Sequence, residues 1–194
     1  RSKDGHFYAL LADATGHGLT AAISVLPVLA LFYRMTKLSR PIREIVLELN
    51  FQLKESMPVG RFVAITLVCL DEAQKQGDIW VGGTPQAFLF DRWGRACKTF
   101  PSANLPLGIV SNDELGGEPQ HFSWDNESQL ILCSDGLLEA TNPQGIQFGV
   151  DGLIAATANT SPSDRFDKIE TALATHQGSA IASDDISLML IDCP

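Results

Sequence analysis

The sequence predicts an α+β fold, with antiparallel strands through the middle of the chain and helices grouped near its two ends. Three observations carry this. Phe7 to Ala12 is an unbroken apolar run of strand length containing Phe and Tyr. The two long segments that follow it have the length and spacing of helices. From Arg61 to Cys133 the pattern changes to short β-branched and aromatic runs separated by Gly, Pro, Asp and Asn.

The elements follow in order. Phe7 to Ala12 runs straight into Asp13, and Gly16-His17-Gly18 then turns the chain. Leu19 to Leu38 is apolar nearly all round with Pro27 in its middle, so it should be a buried helix, kinked or broken near Pro27. Ser39 as N-cap and Pro41 in the first turn open a second helix. Its apolar face is Ile42, Ile45, Val46, Leu49 and Leu53, opposite Arg43, Glu44, Glu48 and Lys54. Phe62 to Leu70 is a buried strand, and Asp78–Val81, Gln86–Phe90 and Cys97–Phe100 continue as an antiparallel meander. Ser102 to Pro119 reads as a long loop. His121–Trp124 and Gln129–Cys133 are two more strands, 151–158 and 163–175 two helices, and Ile186–Ile191 the last strand, directly after Asp184-Asp185.

Length and composition set bounds. A chain of 194 residues suits one domain, and 45% apolar residues supply a substantial core. The net charge of −9 argues against a nucleic-acid surface, which needs a basic stripe, and against a polybasic membrane contact. Cys69, Cys97, Cys133 and Cys193 show no CxxC spacing, which fits a reducing, cytoplasmic protein without a zinc site. No apolar run is long enough for a membrane span, and no signal peptide is evident. The chain opens without Met and almost on a strand, so Arg1 is not expected to be the natural start.

Three carboxylates share one context. Asp13 and Asp135 lie at the C-terminal ends of strands, and Asp184 at the start of one. Strands running in opposite directions can bring such ends to one rim of a sheet. Asp13 could equally cap the following helix, and a lone Asp-Gly is most often a turn. Clustered carboxylates repel one another unless a cation neutralises them, and all-oxygen ligands select Mg²⁺ or Mn²⁺ over zinc. Two such ions sharing a carboxylate would hold a hydroxide able to attack phosphorus in line.

The residues also carry a resemblance. Leu11-Ala12-Asp13-Ala14-Thr15-Gly16-His17-Gly18 resembles the V-A-D-x-T-G-H-G signature of SpoIIE-like phosphatases, the bacterial branch of the PPM (phosphatase 2C-like) family. Ser134-Asp135-Gly136-Leu137-Leu138-Glu139-Ala140 resembles its S-D-G-x-x-E-A, followed by Asn142-Pro143-Gln144-Gly145 and Phe148-Gly149. Asp184-Asp185-Ile186-Ser187-Leu188 resembles its closing D-D-I-T/S-L. Gly82-Gly83-Thr84-Pro85 and Leu105-Pro106-Leu107-Gly108 are similar to its N-A-G-x-P and P-L-G-I stretches. The matches keep the family's order and cover almost the whole chain.

The resemblance implies an α-β-β-α sandwich of two antiparallel sheets flanked by helices, a single PPM-type domain over 1–194 that is incomplete at its N-terminus. It implies a Mg/Mn-dependent protein serine/threonine phosphatase using two ions and a metal-bound hydroxide. Asp13 would bridge both metals, the Ala14 carbonyl would ligate one, and Asp135 and Asp184 would complete the site. Asp185 would support the ligands or cap its loop, and Glu139 would pin the Asp135 loop. The family's acidic G-D-x-x-D segment would lie upstream of Arg1. His17 does not match the position of the candidate general acid in eukaryotic relatives and is read as a turn and cap residue. His6, His121 and His176 show no partners in sequence, and Arg61 is a guess for a phosphate-binding arginine. The implied substrate is an anti-sigma-factor antagonist, and the implied context is an upstream sensor or receiver domain, as in a response regulator. Leu19–Leu38 and Arg40–Met57 would form the lever such a domain moves, with an apolar surface that fits a homodimer. The alternative is a degenerate phosphatase fold acting as a protein-binding adaptor.

Overall fold

The computed structural model describes residues 1–16, 19–58, 60–125, 127–180 and 184–194, with the backbone alone described for 19–24. Along the chain these form β1 (Phe7–Ala14), α1 (Leu19–Lys37), α2 (Ile42–Ser56), β2 (Val63–Asp71), β3 (Gln76–Gly82), β4 (Ala87–Phe90) and β5 (Ala96–Phe100). There follow α3 (Asn112–Leu115), β6 (Gln120–Ser123), β7 (Ser128–Cys133), α4 (Asp135–Glu139), α5 (Gly149–Thr157), α6 (Pro162–Gln177) and β8 (Leu188–Cys193). The fold is α+β, with two four-stranded sheets ordered β1-β2-β3-β6 and β5-β4-β7-β8 and antiparallel in their recorded pairings. The strands expected to form one meander are therefore shared between two sheets. Gly82-Gly83-Thr84-Pro85 is where the chain leaves the first, because Gly83 needs a φ of +82° and any side chain there would meet Pro106.

The first unit comprises Arg1–Thr84 and Phe100–Ser123. Its core joins α1, α2 and one face of the sheet through Val28, Phe32, Ile45, Leu49, Leu53, Val63, Ile65, Leu67 and Trp80. The face of α2 read from its spacing is the buried one, with Asn50 added. Two helical expectations are corrected. Ser39 is not the N-cap: Pro41 holds that place, and the Ser39 hydroxyl donates to Asp4 Oδ1 at 2.5 Å instead. The first helix is neither broken at Pro27 nor buried all round. It packs one stripe, Val28, Phe32 and Thr36, because a helix lying on a sheet can turn only one side inward. Leu26 and Tyr33 stand 58% and 63% exposed.

Asn50 shows how this unit fixes a loop. Its amide donates to the Val110 carbonyl and to Asn112 Oδ1, and its Oδ1 accepts from the Gly108 amide at 2.8 Å. A short helix, α3, interrupts the expected long loop, closed by a Ser111–Glu114 capping box.

The second unit comprises Pro85–Thr99 and Trp124–Pro194. Phe88, Phe90, Ile131 and Cys133 pack on Leu137, Phe148, Leu153, Ile169 and Leu173 of the helices. A fully buried arginine ties it together. Arg165 donates to Gln129 Oε1 at 3.0 Å, the Asp91 carbonyl at 2.9 Å and the Thr160 carbonyl at 3.1 Å. Its guanidinium also lies 5.5 Å from the centre of the Phe90 ring. Burial pulls its pKa down, while Asp91 and Asp192 hold it up. β8 begins at Leu188, two residues later than expected, and ends at Cys193.

Among the described residues no helix is long and apolar enough to cross a membrane. All four cysteines are free, and only Cys97 is exposed. Three histidines expected to lack partners have them: His6 lies 3.6 Å from Asp71, His121 3.0 Å from Asp78, and His176 2.8 Å from the Ile146 carbonyl.

Candidate functional site

In the second unit the ladder between β7 and β8 pairs Cys133 with Leu188 in antiparallel register. The end of one strand therefore neighbours the start of the other, and the residues just beyond are 134–136 and 184–187. Three hydrogen bonds join these segments. The Ser134 amide donates to the Ser187 carbonyl at 3.0 Å, the Ser187 amide to the Ser134 hydroxyl at 2.9 Å, and that hydroxyl to the Asp185 carbonyl at 3.2 Å. Ser134 is buried and spends its hydroxyl across the strand pair, so α4 has no side-chain cap from it. It is a fastener, and among the described residues no side-chain base partners its hydroxyl.

Gly136 completes the approach. A Cβ built there would collide with the Asp185 carbonyl and lie 3.4 Å from the Asp184 Cβ. The glycine of the Ser134-Asp135-Gly136 motif is thus required by close packing of the Asp184 loop, not by backbone conformation. Asp135 and Asp184 are brought beside one another, and both are exposed. Each Oδ1 accepts the next residue's amide: Gly136 N at 2.9 Å and Asp185 N at 2.8 Å. Asp185 contributes main-chain atoms only to these bonds, and the loop that carries Asp184 is tied to Ser134.

In the first unit Asp13 pairs with Ala64 at the penultimate position of β1. Tyr8, Leu10, Ala12 and Ala14 pack on the helical core, so alternation places Asp13 on the opposite face with Ala9 and Leu11. Beyond the strand, Thr15 is latched to Phe62: its amide and hydroxyl donate to the Phe62 carbonyl at 3.0 and 3.2 Å. The Arg61 guanidinium donates to the Thr15 carbonyl at 2.8 Å. Thr15 therefore bonds across the strand pair, and Asp13 itself lies within β1. His17 lies outside the described residues, as does Ser183 just before Asp184.

The donor set suits a hard cation. Asp135 and Asp184 lie on adjoining loops, and each has one main-chain N–H on Oδ1, which leaves lone pairs for an ion. Burial, then the Asp135 charge, pushes the nearby Cys133 thiol up to about 12. Among the described residues neither unit by itself gathers three His, Cys, Asp or Glu side chains into a metal-holding group. Two residues important here were not singled out by their chemistry in the sequence. Ser134 finds its partners more than fifty positions away in the chain. Asn50 reads as one more position on an amphipathic helix.

Residues 3–194 match the family described as stage II sporulation protein E. The chain belongs to the SpoIIE family. Solved structures agree on the fold of this SpoIIE-family chain. The SiaA-PP2C domain of Pseudomonas aeruginosa aligns with a TM-score of 0.79 at 19% identity, over 97% of this chain and 80% of that one. The PP2C phosphatase domain of SpoIIE from Bacillus subtilis, solved with a fragment of its regulatory domain, gives 0.76 at 16% identity over 95% of this chain. This chain spans about half, 54%, of that one. RsbX in complex with magnesium gives 0.64 at 17% identity, over 98% of this chain and 82% of that one. None of the curated proteins matches it in sequence.

Proposed function

We propose that this SpoIIE-family chain is a protein serine/threonine phosphatase dependent on two Mn²⁺ or Mg²⁺ ions. Its substrate would be phosphoserine or phosphothreonine on a regulatory protein of the anti-sigma-factor antagonist type. The observation that supports this best is the close approach of the loops carrying Asp135 and Asp184 at one end of β7 and β8, fixed by Ser134 and allowed by Gly136. In this reading Asp13 and the Ala14 carbonyl, at the end of β1, complete the ligand set. The magnesium in the RsbX structure supports the choice of cation. Bound there, the ions would supply Lewis-acid activation of water and charge neutralisation at phosphorus.

The chain's own residues orient. Ser134 sets the Asp184 loop against the end of β7, and main-chain amides hold one oxygen of each carboxylate. Thr15 fixes the turn after Asp13. Residues 1–194 act in this proposal as one output domain behind a regulatory domain, with the exposed Leu26, Leu29 and Tyr33 face of α1 available for a homodimer. The test is phosphate release from a phosphoserine protein and from a small aryl phosphate with Mn²⁺, with and without chelator. Metal-dependent release from both is expected. No release from a chain that also carries the segment expected upstream of Arg1, with Mn²⁺ binding demonstrated by calorimetry, sinks the enzyme reading and leaves the adaptor.

A further inference from the structure

Arg61 is placed on the main chain that follows Asp13. The β1–β2 ladder runs Asp13 to Ala64 and Ala14 to Val63, and the Thr15–Phe62 bonds extend it to the turn. Arg61 stands just beyond, its guanidinium on the Thr15 carbonyl. It lies so closely over Gly16 that any side chain at that position would strike it. The residue is exposed, and among the described residues no carboxylate pairs with it. In a chain of net charge −9 an uncompensated guanidinium held in place is a binding group for anions.

A groove of about 550 Å³ opens beside it, lined by Lys54, Met57, Arg61, Phe62, Gly108 and Ile109 among others. Its wall is preformed. Asn50 grips Gly108 and Val110 on either side of Ile109, and the Lys54 ammonium donates to the Ile109 carbonyl at 3.1 Å. Its lining combines apolar Met57, Phe62 and Ile109 with cationic Lys54 and Arg61, and with Glu55. That pattern suits an extended polypeptide whose anionic group reaches Arg61.

We propose that Arg61 binds the phosphoryl group of the substrate, and that this groove receives the polypeptide beside the phosphorylated side chain. The proposal rests on the phosphatase reading above. Arg61 uses one of its N–H groups on Thr15, and the rest of its donor fork is suited to phosphate oxygens. Arg61 is then both a fastener of the turn and a substrate group, and the two roles separate by substitution.

The experiment uses the whole chain with Mn²⁺. Arg61→Gln removes the charge and leaves a shorter neutral N–H donor; Arg61→Lys keeps the charge. Arg61→Gln should weaken inorganic phosphate binding by calorimetry, and raise KM for a phosphoserine protein, by about tenfold or more. Arg61→Lys should recover much of the phosphate affinity. Ile109→Glu should raise KM for the phosphoprotein while leaving inorganic phosphate binding unchanged. Unchanged phosphate affinity and KM in Arg61→Gln would overturn the proposal and leave Arg61 a fastener of the turn. Phosphate binding needs no turnover. A wild type that binds phosphate through Arg61 yet hydrolyses nothing refutes the phosphatase reading and keeps the Arg61 assignment. A wild type that turns over, with Arg61→Gln its equal, does the reverse.

Discussion

Ser134 and Ser187 are joined twice: each main-chain amide donates to the other residue, one to a carbonyl at 3.0 Å and one to a hydroxyl at 2.9 Å. The second bond exists only because residue 134 carries a hydroxyl. Ser134→Ala should leave the Ser187 amide and the Asp185 carbonyl short of a partner, a loss of about 1–3 kcal/mol. Urea unfolding measures it. Mn²⁺ affinity should fall with stability, since the same loop carries Asp184. Unaltered affinity would mean that the loop holds its place without the latch.

Gly136→Ala should damage the site more than the fold. The added methyl meets the Asp185 carbonyl, so the backbone of the loop that carries Asp184 must shift. Mn²⁺ binding and turnover should drop by about tenfold or more, with the unfolding midpoint lowered only modestly. A crystal structure of the variant should show residues 184–187 displaced.

Removing the proposed ligands tests the site directly. Asp135→Ala and Asp184→Ala should each lower the rate at least about a hundredfold, roughly 2.7 kcal/mol of transition-state stabilisation. Asp13→Ala should be the most damaging of the three, because a bridging ligand serves both ions. Calorimetric Mn²⁺ titration should show the same order. If Asp13→Ala binds metal as well as wild type, it is not a ligand.

Arg165 carries a separate prediction about stability. Arg165→Met preserves much of the volume but strips donors from Gln129, the Asp91 carbonyl and the Thr160 carbonyl inside a buried network. The cost should be about 2–4 kcal/mol. Its signature is a lower urea midpoint at unchanged slope.

Acid should destabilise through carboxylates the fold holds ionised. Burial opposes the charge on Asp91, but the Arg95 and Trp93 amides and the Arg95 guanidinium outweigh it and lower the pKa. The hydroxyls of Ser2 and Ser39 lower that of Asp4. A folded pKa below the ordinary 3.8 means the stabilisation is full above that value and is lost as pH falls through the lower folded one. The urea midpoint should therefore stay level down to about pH 5 and decline below about pH 4. Asp91→Asn should flatten part of that decline.

The sequence by itself marked most of the elements and the candidate residues of the site. Helical spacing marked the buried face of α2, because burial on a helix must recur every three to four residues. The Asp13, Asp135 and Asp184 motifs were legible because a short turn needs particular residues in a fixed local order. The sharing of strands between two sheets was not legible, since Gly83 breaks a strand in the same way whether or not the chain changes sheets. Nor was the one-sided burial of α1, whose apolar composition says nothing about how many neighbours are available to cover it. Only the tertiary structure set Asp184 against Gly136, fastened the two loops through Ser134, and put Arg61 on the turn after Asp13. Those contacts join residues about fifty positions apart, and pairing at that distance is decided by sheet register and close packing, which leave no periodic trace in the local sequence.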